Sequence, residues 1–352
     1  MNICILVLTN TQKPDGASRI RPVKLISEFK KNHSNLYTYY LREKDKPLRL
    51  LIKLLLNKRN IDLCYIEPHT YPLSLIEKII IKVLKFKGAK IFFFYRDIYW
   101  KYQIGKDSMS FTKWYKLYFK QLISLKFICK NMDKIYAPSS SFINILPKQK
   151  SNKYSTLPPA GDIQNINYNP DKREGIIYVG GISVEYGLDI MLSTFSEINK
   201  IEDIPLLIVC RKEDYKNSVD IINNYKNTSW LKIKNLNSNE LEDVYKKAKI
   251  AILPKKISKY NQISLSYKIF EYASFGLPLL VSNNLEQAQL IKKNNLGFNL
   301  GNNKNQFYET IIKYYNDNSQ LSLWSKSCTD FIKNKATWNH RYEKIINDYM
   351  EL

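Results

Sequence analysis

Short apolar runs alternate with amphipathic stretches from residue 2 to residue 137, and the alternation restarts at residue 175. The strand-like runs of the first part are 2–8, 35–41, 62–67, 90–95 and 134–137. Helical spacing of apolar residues fills 19–31, 47–58, 73–86 and 111–131 between them. A parallel strand pair needs a long crossover, and the helix that makes it covers one face of the sheet. This alternation therefore predicts a parallel sheet buried on both faces. In the second part, strands fit 175–179, 205–210, 250–254 and 277–282. Helices fit 186–199, 214–226, 238–247, 264–275 and 285–292, with two more near 304–315 and 338–350. Between the parts, Pro158-Pro159-Ala160-Gly161-Asp162 and a polar stretch to Arg173 read as a linker. The expected fold class is α/β, two doubly wound domains in tandem facing each other across a cleft.

Composition narrows the classes of function. Apolar residues at 44% of 352 suffice for full cores. The longest apolar runs, such as 79–84, fall far short of the roughly 20 residues that span a bilayer. The opening MNICILVLTN lacks a basic leader and a small-residue cleavage site, so it reads as a first strand and not as a signal peptide. Cys4, Cys64, Cys129, Cys210 and Cys328 are isolated and show no C-x-x-C spacing, which points to a reducing cytoplasm and away from disulfides or zinc. His33, His69 and His340 are scattered without metal-ligand spacing. The formal net charge of +23 is unevenly placed: residues 1–160 hold 30 basic and 10 acidic side chains, residues 161–352 hold 25 and 22. A general lysine bias would raise both parts alike. The imbalance points to a basic face on the first part, suited to anionic lipid, a phosphorylated acceptor or nucleic acid.

In doubly wound sheets ligands sit beyond the carboxyl ends of the strands, so the strand-to-helix loops are where site residues are sought. In SLSYKIFEYASFGLPLLVSNN (264–284), Lys268 and Glu271 are spaced to share one helix face. The helix N-terminus favours an anion such as a diphosphate; Lys268 adds a point charge and Glu271 can accept ribose hydroxyls. The plainer reading is a surface salt bridge. Arg211 directly follows the strand 205–210, as a site cation or a solvated loop arginine. In IFFFYRDIYW, Arg96 and Asp97 follow a strand end, a typical site position; the alternative is an Asp that caps the next turn. Gly16, after the first strand, lets the backbone approach a ligand closely. Arg19, in the first turn of the next helix, reads either as a phosphate contact or as a surface arginine. On the helix 111–131, Lys113, Lys116, Lys120, Lys126 and Lys130 share one broad side, with Trp114, Tyr118, Leu122 and Leu125 opposite. Such a helix can lie on an anionic membrane surface or pack on its own sheet, and both hold if the lysines alone meet headgroups.

Several segments, in order, resemble family 4 retaining glycosyltransferases of the GT-B fold. SYKIFEYASFGLPLLVS is similar to the donor-site segment. IIYVGGISVEYGLDIMLSTFSEI, with Gly180 and Gly181, is similar to the strand, glycine loop and helix that open the donor domain. LEDVYKKAKIAILP resembles the helix and strand before the donor loop, LPPAGD the entry to that domain, DGASRIRPVKLISEF the first acceptor-domain loop, and ATWNHRYEKIINDYM the terminal helix that returns to the first domain. The resemblance implies an acceptor domain at 1–160, a nucleotide-sugar domain at 161–335 and a returning helix at 336–352. It implies that Glu271 binds the donor ribose, and that Asp97 matches an Asp that some members carry near the transferred sugar or acceptor hydroxyl. Three expected polar groups are replaced: Gly181 and Tyr186 stand where an Arg and a Lys hold the diphosphate, and Ile263 where a first Glu meets the sugar, unless the register shifts to Asn261 or Gln262. Lys268 and Arg211 are the expected substitutes. The implied activity moves a sugar from a nucleotide-diphosphate sugar to a hydroxyl with retention, by same-face attack in which the leaving phosphate helps deprotonate the acceptor. No D-x-D tripeptide is present, so no metal and no other cofactor are expected. A lipid-linked saccharide acceptor, polysaccharide assembly at the cell surface and a peripheral place on the inner face of the cytoplasmic membrane complete the expectation. The alternatives are a GT-B phosphorylase or epimerase, a catalytically impaired homologue, and a basic nucleic-acid binder, although no nucleic-acid motif is present.

Overall fold

The protein is represented by a computed structural model that describes residues 1–9, 17–41, 45–56, 60–150 and 152–352. It divides into two compact units, residues 1–158 with 338–352, and residues 159–337.

The first unit runs β1 (Ile3–Val7), α1 (Ala17–Asn32), β2 (Leu36–Tyr40), α2 (Pro47–Leu56), β3 (Leu63–Glu67), α3 (Leu75–Phe86), β4 (Lys90–Phe94), α4 (Phe111–Asn131), β5 (Lys134–Ala137), α5 (Ser140–Asn144) and β6 (Tyr154–Thr156). All strand pairs are parallel, in the order β2-β1-β3-β4-β5-β6. The sequences ICILV and LCYIE are buried at every residue, as strands covered on both faces must be, whereas LYTYY of edge strand β2 is half-buried throughout. Cys4 and Cys64 face each other across β1 and β3 as free thiols, and all five cysteines are buried and free. A capping box starts α3: the Ser74 hydroxyl accepts the Glu77 N–H, and Glu77 accepts the Ser74 N–H.

The second unit runs β7 (Ile176–Val179), α6 (Leu188–Ile198), β8 (Leu206–Val209), α7 (Lys212–Lys216), α8 (Val219–Asn223), β9 (Leu231–Lys234), α9 (Leu241–Lys247), β10 (Ile250–Leu253), α10 (Lys259–Ile263), α11 (Tyr267–Ser274), β11 (Leu279–Val281), α12 (Leu285–Asn294), β12 (Gly297–Asn299), α13 (Lys304–Tyr315) and α14 (Asn318–Lys335). Its sheet is also parallel, in the order β12-β11-β10-β7-β8-β9. The chain then returns to the first unit as α15 (Trp338–Met350), which packs on α1 and places Tyr342 and Ile345 in the core with Phe29 and Tyr136.

Strand order reverses between β1 and β3 in one sheet and between β7 and β10 in the other. The loops after those four strands therefore flank the topological switch points where ligands bind in such folds. Several elements depart from the sequence reading. The single helix expected over 214–226 is two short ones, broken where Ser218 donates its hydroxyl to the Ile182 carbonyl. The helix expected from 264 begins at Tyr267, with α10 ahead of it. Strands β6, β9 and β12 and helix α14 were not foreseen.

Candidate donor site

The helix face foreseen at Lys268 and Glu271 forms. Ser266 caps α11 by accepting the Lys268 N–H. The Lys268 ammonium stands 2.5 Å from Glu271 Oε2, an ionic contact off the hydrogen-bonding direction, and donates to the Tyr245 hydroxyl at 3.2 Å. Tyr245 comes from α9 and is buried. Burial pushes its phenol well above the ordinary range, and the Glu271 charge pushes it further. Glu271 is thus held by a lysine and a tyrosine while keeping 15% side-chain exposure, enough to meet a ligand hydroxyl. Tyr245 lies 26 positions before Glu271, and the sequence reading missed it.

The glycine loop after β7 forms a second cluster. The Tyr178 hydroxyl donates to the Gly181 carbonyl at 2.6 Å. A Cβ on Gly181 would stand 3.3 Å from the Tyr186 ring and 3.7 Å from Asp214 Oδ2. Asp214 in turn accepts two bonds from Arg211, at 2.8 and 2.9 Å. Arg211 is thus tied to Asp214 beside the loop, and its charge is matched by its own helix. Gly187 has φ +79°, and a Cβ there would lie 1.8 Å from the Pro254 carbonyl oxygen. Only glycine lets this loop lie against the end of β10.

That contact brings in a cation missed from sequence. Lys255 follows Pro254, and its ammonium lies 5.9 Å from the centroid of the Tyr186 ring. Burial lowers its pKa to about 8, partly opposed by Glu185. Lys255 thus supplies positive charge beside Tyr186, where the resemblance leads one to expect a lysine. With Gly187, Asp189, Ser282 and Asn302 it lines a cavity of about 300 Å³ at the carboxyl ends of β10, β11 and β12. Lys268 and Glu271 do not line that cavity. Ile263 is buried, and Gln262 accepts the Leu285 N–H. Asn261 is buried and donates to Glu185 Oε1 at 3.1 Å and to the Lys256 carbonyl at 2.8 Å. It joins the loop after β10 to Glu185, the one carboxylate in residues 180–187.

In the first unit, Asp97 follows β4, and its side chain is only 6% exposed. It pairs with Arg96 at 3.3 Å and accepts the Tyr99 N–H, the capping alternative to the catalytic reading; burial raises its pKa. The neighbouring space, about 20 Å³ between His69, Tyr95, Arg96, Asp97 and Gln121, is water-sized. His69, set aside in the sequence reading for want of metal-ligand spacing, lies just past β3 at the switch point. Its Nδ1 accepts the Tyr71 N–H at 3.0 Å, which leaves the proton on Nε2, 3.4 Å from Glu77 Oε1. Both ring nitrogens are therefore engaged within the protein. Arg19 sits half-buried in the first turn of α1, and Gly16 lies outside the described residues. Its neighbour Arg21 is buried, bonded to Glu67 at 2.9 Å and to the Leu157 carbonyl at 3.2 Å.

On α4, Lys113, Lys116 and Lys120 are exposed, and Trp114 and Leu125 are buried. The expected two-sided split is incomplete, because Phe111, Tyr115, Phe119 and Ile123 are exposed among the lysines.

These two six-stranded parallel sheets have the GT-B fold of nucleotide-dependent sugar transferases. The chain superposes on sucrose-phosphate synthase from Thermosynechococcus elongatus with a TM-score of 0.70, at 13% identity, over 100% of this chain and 99% of that one. It superposes on HepE from Anabaena, solved with UDP-glucose, at 0.67 and 12% identity, over 99% and 100%. It superposes on WaaG, a glycosyltransferase involved in lipopolysaccharide biosynthesis, at 0.66 and 9% identity, over 97% and 98%. No curated protein matches the sequence. The profile of the glycosyl transferases group 1 family matches residues 161–338, just over half of the chain. The chain belongs to that family and is a glycosyltransferase.

Proposed function

We propose that this enzyme moves a sugar from a nucleotide-diphosphate sugar to a hydroxyl of a lipid-linked saccharide, with retention, in the assembly of a cell-surface polysaccharide. The observation that carries the donor half is the Glu271–Lys268–Tyr245 cluster between α11 and α9, helices that follow and precede β10, a strand of the switch point in the second sheet. Glu271 accepts the ribose hydroxyls. Lys268 and Lys255 oppose the negative charge that builds on the leaving diphosphate, which is the main catalytic task in breaking a sugar–phosphate bond. Arg211 and the Gly180–Gly181 loop complete the diphosphate cradle. The leaving phosphate takes the acceptor proton as the hydroxyl attacks the same face of the sugar. Arg19, Arg96 and Asp97 orient the acceptor in the first unit, Asp97 through its pair with Arg96. The HepE complex with UDP-glucose supports the donor class, and the likeness to WaaG supports a lipid-linked glycan as acceptor. No metal takes part: transfer persists in EDTA, and its loss there with recovery on adding a divalent ion would overturn this point.

The donor assignment is tested by thermal shift with UDP, GDP, ADP and CMP and their sugars, beside Glu271→Ala. A ligand that binds only the native state raises the Tm. One diphosphate nucleotide is expected to raise it. Loss of a charge-assisted hydrogen bond, roughly 1.5–3 kcal/mol, weakens binding by about 10- to 100-fold in the variant. No shift with any nucleotide would remove the donor assignment.

A further inference from the structure

Helices α2 and α3 pack side by side in the first unit, and their outer surface is more apolar than any role in its core requires. On α2, Leu48, Ile52, Leu55 and Leu56 are 60%, 51%, 59% and 78% exposed. At 100° per residue they fill one arc of about 100°, opposite the buried Leu50 and Leu54. On α3, Leu75, Ile79 and Phe86 are 75%, 38% and 94% exposed, again on one stripe opposite the buried Ile80, Ile81 and Leu84.

The cations border this surface. Arg49 and Lys53 occupy the far side of α2, with Lys53 over the Tyr39 ring of edge strand β2. On α3, Lys82 is exposed beside Phe86; Lys78 reaches the Phe127 ring of α4, and Lys85 is taken up by the Asn131 carbonyl and the Asp133 carboxylate, so Lys82 and Lys78 carry that flank. The two helices hold one acidic residue, Glu77, and it is buried in the Ser74 capping box. The result is an apolar ridge with cations on both flanks and no exposed carboxylate from its own helices.

We propose that the α2–α3 ridge inserts into an anionic lipid surface, so that this enzyme is held by apolar burial and not by lysine contact alone. An interfacial helix buries its apolar side at the acyl boundary while flanking Lys and Arg meet headgroup phosphates, and this surface has both parts. A second copy of the chain fits less well, because a twofold contact through the ridge would set cationic flanks against cationic flanks. The inference rests on the lipid-linked acceptor of the proposed function and adds the surface that would hold the enzyme beside it. Its test does not depend on sugar transfer.

The full chain is mixed with vesicles of phosphatidylcholine, with or without phosphatidylglycerol, and floated at 50 and 500 mM NaCl. A ridge that inserts leaves a bound fraction at high salt on anionic vesicles. Leu56→Asp/Phe86→Asp lowers that fraction at least tenfold with the Tm unchanged, since both side chains face solvent. Lys113→Glu/Lys116→Glu/Lys120→Glu weakens low-salt binding only. Because the native cysteines are all buried, Leu56→Cys can carry an environment-sensitive fluorophore, expected to shift to the blue with vesicles. Flotation without that shift, or flotation abolished by salt, would overturn insertion and leave lysine contact. A blue shift without vesicles that grows with protein concentration, together with a dimer by light scattering, would assign the ridge to a second copy. Nucleotide release with a soluble acceptor, measured in parallel, reports the transferase reading by itself.

Discussion

At the residue scale, the candidate site combines one group legible in the sequence with others that were not. Lys268 and Glu271 are three positions apart on one helix, so their contact follows from local geometry. Lys255 meets Tyr186 across 69 positions of chain, and only the parallel pairing of β7 and β10 brings them together. Lys255 also supplies a pH test. Its lowered pKa, about 8, means that the ammonium is largely present at pH 7 and lost as pH rises through 8. Nucleotide-diphosphate affinity should therefore fall between pH 7 and 9, by roughly three- to tenfold for one lost cation near the phosphates. Titration calorimetry at both values checks this, and Lys255→Met should bind weakly with no such pH dependence. An equal fall in Lys255→Met would place the titrating group elsewhere.

At the scale of elements, long buried strands and capped helices were readable because their signals are local: continuous apolar runs for β1 and β3, a capping box for α3. Short or polar elements were not. Strands β6, β9 and β12 hold three or four residues each, too few for periodicity to show, and take their place from neighbours already in the sheet. Helix α14 buries Leu321, Trp324, Cys328, Phe331 and Ile332 at helical spacing, but its serines and asparagines mask the stripe. The turn at Gly187 sits between these cases. Its glycine suggests a loop, but the need for glycine comes from the Pro254 carbonyl, 67 positions away. Gly187→Ala should push the loop 180–187 off β10, cost roughly 2–4 kcal/mol through backbone overlap and left-handed strain, and abolish the nucleotide-induced Tm rise. Urea unfolding with and without nucleotide measures both. A stable variant that still binds would show the close approach to be dispensable.

At the scale of the whole molecule, the tandem of two parallel sheets was predictable from alternation alone, and so was the excess of positive charge in residues 1–160. The last helix shows how tertiary contacts assign a segment. Asp348 of α15 accepts the Tyr136 hydroxyl at 2.7 Å and lies 3.2 Å from the Lys134 ammonium, with both charged side chains 9% exposed. Asp348→Ala would leave a buried lysine and a buried phenol without their partner, at a cost of about 3 kcal/mol. The expected result is a lower urea midpoint for the first unit, with the nucleotide-induced stabilisation of residues 159–337 retained. Simultaneous loss of both would mean that the two units do not respond independently. Considered alone, the sequence determined the fold class and the Lys268–Glu271 pair, because apolar periodicity and i, i+3 spacing act over a few residues. Tertiary structure alone decided that Asp97 is enclosed, that Lys255 stands by Tyr186, and that the apolar sides of α2 and α3 face solvent. Each of these depends on which distant segment fills the neighbouring space, and no local pattern encodes that.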